Sequence, residues 1–123
     1  MLKHFGDDER GVLSYMELTD LKFIPRRMYY VSNVPKGSIR GGHGHYKDEQ
    51  YIFCVKGQIK IHMLSKNEEE TIVLNPGECV YVDRMVWGEQ EYLTGDDIML
   101  VLCSTKFDKS DYIYDIEEIL KWK

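Results

Sequence analysis

"QYIFCVKGQIKIHML", residues Gln50 to Leu64, carries the alternation that decides the fold. In its second arm Ile59, Ile61 and Met63 alternate with Lys60 and His62. A period of two belongs to a strand with one buried face. The first arm, Gln50 to Val55, is β-branched and aromatic. Lys56-Gly57 between them has the composition of a tight turn, so the stretch predicts a β-hairpin.

The same grammar runs outward in both directions. "RMYYVSNV" (Arg27 to Val34) reads as a strand stopped by Pro35-Lys36-Gly37. "ETIVL" (Glu70 to Leu74) follows a polar turn at Ser65 to Glu69. Asn75-Pro76-Gly77 is a further turn before "CVYV" (Cys79 to Val82). "IMLVLCS" (Ile98 to Ser104) is apolar on both faces, as a central strand is. Apolar runs broken by turn signals every eight to twelve residues or so predict an all-β sandwich or barrel. The N-terminal "GVLSYMELTDL" fits one or two more strands. Only the end reads as helix: Asp115 can cap "IEEILKWK", with acids in the first turn and lysines in the last.

Composition narrows the classes of function. A chain of 123 residues suits a single domain spanning 1–123, and its 43% hydrophobic content can fill a core. The formal charge of −5 argues against nucleic acid as the main partner, because phosphate binding needs a basic face. No apolar run approaches the ~18 residues that span a bilayer. "MLKHFGDDERG" lacks the apolar segment of a signal peptide, so a cytoplasmic protein is expected. Cys54, Cys79 and Cys103 lie in strand-like segments without a C-x-x-C spacing, and read as reduced, buried thiols.

"IRGGHGHYKDEQ", Ile39 to Gln50, looks least like packing material. On a strand His43 and His45 share a face, with Gly44 between them facing outward. Gly41 and Gly42 let a ligand or another backbone come close. Arg40 offers a guanidinium suited to phosphate or carboxylate. The spacing resembles the first cupin motif, G-x5-H-x-H-x4-E-x6-G, with Gly37, His43, His45, Gln50 and Gly57 on its positions. Gln50 stands where that motif has a glutamate ligand. In the second motif, G-x5-P-x-G-x2-H, Gly77 is kept, while Asp83, Met85 and Gly88 replace the proline, the glycine and the ligand histidine. An amide and a glycine are poor substitutes for metal donors, so no metal or other cofactor is expected.

Over about residues 10 to 120 the chain resembles a narrower family, the WxcM-like dTDP-sugar 3,4-ketoisomerases of deoxysugar biosynthesis. Their signature is similar to R-G-x-H-A-H-K followed by Q. Here it reads Arg40-Gly41-Gly42-His43-Gly44-His45-Tyr46, then Gln50. "FIPRRMYYV" keeps Arg27, Tyr29 and Tyr30, "DRMVWG" keeps Trp87, and "LVLCSTKFDKSDYIYD" matches the family's tail. Gly88 replaces a frequent histidine.

The resemblance implies a cupin jelly roll with a short C-terminal helix, and an isomerase that moves a sugar ketone from C4 to C3 through an enediol. It implies His43 as base, His45 as acid–base partner or orienting group, and Tyr29 as a phenol donor. Arg40, Arg27, Gly41, Gln50 and Trp87 would surround the substrate. Gln50 would also suit fixing a histidine tautomer, and Arg27 a salt bridge. A homodimer paired through a sheet that includes "MYYVSNV" is implied, with a 3-aminotransferase as pathway neighbour. A non-catalytic sugar-nucleotide-binding cupin and a metal-dependent cupin enzyme are the alternatives. His4 and His62 read as structural or exposed, and Glu68 to Glu70 as a solvated turn.

Overall fold

The computed structural model describes residues 2–7 and 9–122. Strands β1 (Lys3–Asp7) and β2 (Gly11–Tyr15) form a hairpin, and a 3-10 turn follows at Leu18–Asp20. The remaining strands are β3 (Arg27–Val31), β4 (Ile39–His45), β5 (Gln50–Lys56), β6 (Ile59–Leu64), β7 (Glu69–Leu74), β8 (Cys79–Val82), β9 (Trp87–Tyr92), β10 (Ile98–Cys103) and β11 (Tyr112–Ile113). A second 3-10 turn, Lys109–Asp111, precedes β11, and helix α1 (Ile116–Leu120) closes the chain.

Two antiparallel sheets make the sandwich. One has the order β3-β10-β5-β8 and the other β11-β4-β9-β6-β7. Their inner faces meet in a core that includes Ile52, Cys54, Val101 and Cys103 from the first sheet, and Ile59, Ile61, Met63 and Tyr92 from the second. β10 lies inside its sheet between β3 and β5, as its two-sided apolar character predicts. No helix among the described residues is long and apolar enough to cross a membrane.

The hairpin expected at Lys56-Gly57 is not formed. β5 pairs with β10 and β8, whereas β6 pairs with β7 and β9, so the chain turns a corner from one sheet to the other. The reason is burial. The two arms face one core from opposite sides, and pairing them edge to edge would leave one sheet without a cover. Gly57 makes the corner at φ +80°, and a Cβ there would stand 2.1 Å from Asp97 Oδ1. Asp97 holds the corner by accepting from Gln58 N–H at 2.8 Å, Thr94 Oγ1 at 2.7 Å and Gly95 N–H at 3.0 Å. The Asn75–Gly77 turn also passes between sheets, from β7 to β8. The local hairpin is β6–β7, closed where Ser65 N–H donates to Glu68 O at 2.9 Å.

The ends depart from expectation in detail. β1 was not anticipated; Leu2 N–H beside it donates to Gly77 O at 3.1 Å. Asp115 caps α1 by accepting from Glu117 N–H at 3.0 Å, but the helix stops at Leu120. Lys121 is its C-cap, and the expected final Lys123 lies outside the described residues. None of the three cysteines forms a disulfide; Cys54 and Cys103 are buried, whereas Cys79 is half-buried.

Candidate active site

The Arg40 to His45 stretch builds one wall of the site through a bulge. Gly41 and Gly42 take φ of +89° and +78°, and the β4–β9 register shifts between Gly41 and His43. A side chain at Gly41 would lie 2.8 Å from the Gly88 carbonyl, so both conformation and close approach require glycine there. Beyond the bulge His43 and His45 share the inner face, their rings meeting edge to face with centroids 5.1 Å apart. Gly44 points to the other face, as alternation requires, but that face is covered. A Cβ there would meet Ile119 Cδ1 of α1 at 2.6 Å, and the residue is buried rather than open to solvent. β11 pairs with this end of β4 and lays the Tyr112 ring 5.0 Å from His43 and 4.5 Å from His45.

The two histidines have different surroundings. His45 is buried; its Nδ1 lies 3.5 Å from Asp111 Oδ2 and its Nε2 lies 3.5 Å from Gln50 Nε2. Burial lowers its pKa, opposed by the nearby charges of Asp48 and Asp111. His43 is half-buried, and its Nδ1 is enclosed without a protein partner. Desolvation, with His45 beside it, pushes His43 down to about 4. Both rings are therefore neutral near pH 7, the form in which imidazole accepts a proton. Both line a cavity of about 20 Å³ together with Gln50, Gly88 and Gln90. Gly88 pairs with His43 across the β4–β9 ladder, and a Cβ on it would meet nothing closer than Gln90 Nε2 at 3.8 Å.

The other expected residues fall into three groups. Gln50 lies beside the histidines, buried, with Nε2 donating to Asp48 Oδ2 at 2.9 Å. Tyr29 is on the inner face of the other sheet, paired with Val101; burial raises its phenol pKa, with Cys103 and Tyr112 nearby adding to the effect. Arg40 is exposed on the strand opposite Gln90, at the open end of the same face.

Arg27 and Trp87 are not among the residues that line the histidine cavity. The Arg27 Nη2 is held by Asp48 Oδ2 at 3.1 Å, a salt bridge within the wall. Trp87 lies on the face of β9 opposite Gly88 and Gln90, packed on Met85, Ile113 and Ile119. The period of two that puts Gly88 inward puts Trp87 under the C-terminal helix. Met85 adopts φ +59° where the cupin motif has glycine.

The sequence reading missed Asp48, Asp111 and Tyr112 as site residues. Asp48 was in the quoted histidine stretch, and Asp111 and Tyr112 were in the matching tail. Each looked like turn or strand material until the tail folded against β4.

The donor set does not fit a cupin metal centre. The two lost positions present an amide and a glycine. Asp48 fixes the amide so that its nitrogen, not its oxygen, faces His45. Among the described residues no group of three or more His, Cys, Asp or Glu side chains is arranged to hold a metal ion.

The fold and this inner-face site define a class, the cupin-like sandwiches. At the level of fold alone, an rmlC epimerase of Mycobacterium tuberculosis superposes with a TM-score of 0.76 at 15% identity, over 90% of this chain and 64% of that one. QdtA, a sugar 3,4-ketoisomerase from Thermoanaerobacterium thermosaccharolyticum solved in complex with TDP, superposes at 0.88 with 34% identity, over 97% of this chain and 88% of that one. A mutant of QdtA has been solved with TDP-4-keto-6-deoxyglucose. The TDP-4-oxo-6-deoxy-alpha-D-glucose-3,4-oxoisomerase of Aneurinibacillus thermoaerophilus is 32% identical over 117 residues, 94% of this chain and 84% of that protein. Residues 1–123 match the family described as FdtA: WxcM-like, C-terminal, and the chain belongs to that family.

Proposed function

We propose that this chain is a sugar-nucleotide 3,4-ketoisomerase acting on TDP-4-keto-6-deoxyglucose. The relatives' activities support the reaction class. The observation that carries it to this molecule is the pair of neutral imidazoles on one inner strand face, with the Tyr112 ring against both.

The chemistry follows from what two such groups can do. His43, the more accessible ring, takes the C3 proton. The resulting enediolate shares charge between O3 and O4. His45, or water beside it, manages the proton that leaves O3 and the one that reaches O4. Protonation at C4 then gives the 3-keto, 4-hydroxy sugar, with no net gain or loss of protons. Negative charge on the enediolate opposes the burial that depresses His43, so the base strengthens as the intermediate forms. Tyr29 keeps its proton and is suited to donate to the keto oxygen. Arg40 sits where a diphosphate would enter.

A homodimer belongs to the same proposal. Met28 and Tyr30 are 61% and 66% exposed on the outer face of edge strand β3, an apolar surface suited to a second sheet. A 3-aminotransferase that consumes the 3-keto product is the pathway neighbour the chemistry suggests.

Gly88 favours one competing reading, a binding protein that has lost turnover, because it offers His43 no side chain across the ladder. Turnover and nucleotide binding by wild type and His43→Asn separate the two. The isomerase reading expects conversion by wild type, and in the variant loss of turnover with TDP affinity retained. Binding without conversion by wild type supports the competitor. Full turnover in folded His43→Asn removes that residue as base.

A further inference from the structure

Two buried carboxylates that do not themselves line the cavity lie behind His45 and Gln50, which do. Asp48 is 1% exposed and receives five contacts. Its Oδ1 accepts from Ser104 Oγ at 3.2 Å, Thr105 N–H at 3.0 Å and Thr105 Oγ1 at 2.9 Å. Its Oδ2 accepts from Arg27 at 3.1 Å and from the Gln50 amide at 2.9 Å. Asp111 is 7% exposed and accepts from the Lys47 and Asp48 N–H groups at 2.8 and 3.1 Å.

The direction of each donor can be read along this chain of contacts. A carboxylate only accepts, so the Gln50 atom against Asp48 must be its NH2. The second hydrogen of that NH2 faces His45 Nε2 at 3.5 Å and Cys103 Sγ at 3.7 Å, and against an N–H the ring nitrogen can only accept. The ring proton is left on Nδ1, which is buried without a hydrogen bond of its own and has the Asp111 Oδ2 charge 3.5 Å away. Reversing the tautomer would place two donors nose to nose at Nε2 and a lone pair against a carboxylate at Nδ1. Both arrangements are unfavourable in a buried site.

We infer that Asp48, acting through Gln50, and Asp111 are positioning residues that hold His45 as the Nδ1–H tautomer. This rests on the proposed role of the histidine pair and deepens it. The amide at position 50, where a metal cupin carries a carboxylate ligand, becomes the relay between a fixed carboxylate and a catalytic ring. His45 then keeps its own proton on the side of Asp111 and its Nε2 lone pair on the side of Gln50, itself a residue of the cavity wall. The charged and titratable groups that face it are Asp48, Asp111, Arg27, His43 and Tyr112.

The test is ¹⁵N NMR of the histidine rings in the full chain, with pH profiles of two variants. Long-range ¹H–¹⁵N correlation at pH 7.5 should give His45 a protonated Nδ1 and a bare Nε2. A protonated Nε2 would overturn the inference. Gln50→Leu should admit the Nε2–H tautomer and lower kcat on the order of 10–100-fold with KM nearly unchanged. A retained single Nδ1–H form in that variant would remove Gln50 from the relay. Asp111→Asn should move the acid limb of kcat/KM to lower pH, since the carboxylate that favours the imidazolium is gone; an unmoved limb means a structural role only. The wild-type spectrum needs no variant to fold. It also separates the two ideas: Nδ1–H with no isomerisation sinks the proposed function and leaves the tautomer assignment standing.

Discussion

His43 is the residue whose environment has the plainest consequence for the whole molecule. Its ordinary pKa is 6.5 and burial lowers it to about 4. Between those values the unfolded chain binds a proton that the folded protein refuses. Stability is therefore complete above pH 6.5, falls as pH drops toward 4, and levels below that. Urea unfolding should show this loss, and His43→Asn should reduce it by about 1–2 kcal/mol after solvent screening of a half-buried ring. Equal losses in variant and wild type would place the acid sensitivity elsewhere. The histidines were legible because two of them one residue apart, behind two glycines, have no ordinary packing use. Asp48 and Asp111 were not. Asp111 reaches the Asp48 N–H across 63 positions of sequence, and nothing local marks either aspartate as more than a turn residue. Trp87 was expected at the pocket from the family resemblance; its parity with Gly88 in β9 is the signal that puts it on the outer face.

At the scale of elements, the strands were visible and their partners were not. Alternation reports which face of β6 is buried, but it does not say which strand lies beside it. A short turn such as Lys56-Gly57 serves a hairpin or a corner equally well; the deciding contact, Asp97, lies 39 positions away from Gln58. Gly57→Ala would force a side chain into that carboxylate at a left-handed φ. It should destabilise by about 2–4 kcal/mol in chemical denaturation, and a cost under 0.5 kcal/mol would mean the corner is not strained as described. Helix α1 sits on β4 with Ile119 closely over Gly44. Gly44→Ala should cost roughly 1–2 kcal/mol, and Ile119→Val in the same chain should recover part of it by removing the clashing methyl. Simple additivity of the two changes would contradict that contact.

At the scale of the whole molecule, one sheet face remains apolar and open. Met28 and Tyr30 project from it beside Leu100 and Leu102, on the side away from the core. The proposed dimer covers this face. Sedimentation should find wild type as a dimer at micromolar concentration and Tyr30→Glu shifted toward monomer. A monomeric wild type would reject the pairing. The active-site wall and this face belong to opposite sides of one sandwich, linked through β3, whose Arg27 anchors Asp48 while Met28 faces outward.

The central claim is that the paired histidines take a proton from C3 of the sugar, exchange it with solvent and return one at C4. Proton NMR of TDP-4-keto-6-deoxyglucose incubated with the protein in D2O tests it most directly. The account predicts deuterium at C4 of a 3-keto product, formed at the rate at which the C3 signal is lost, and neither event with His43→Asn. Saturable binding with an undisturbed C3 proton and no 3-keto sugar would contradict it.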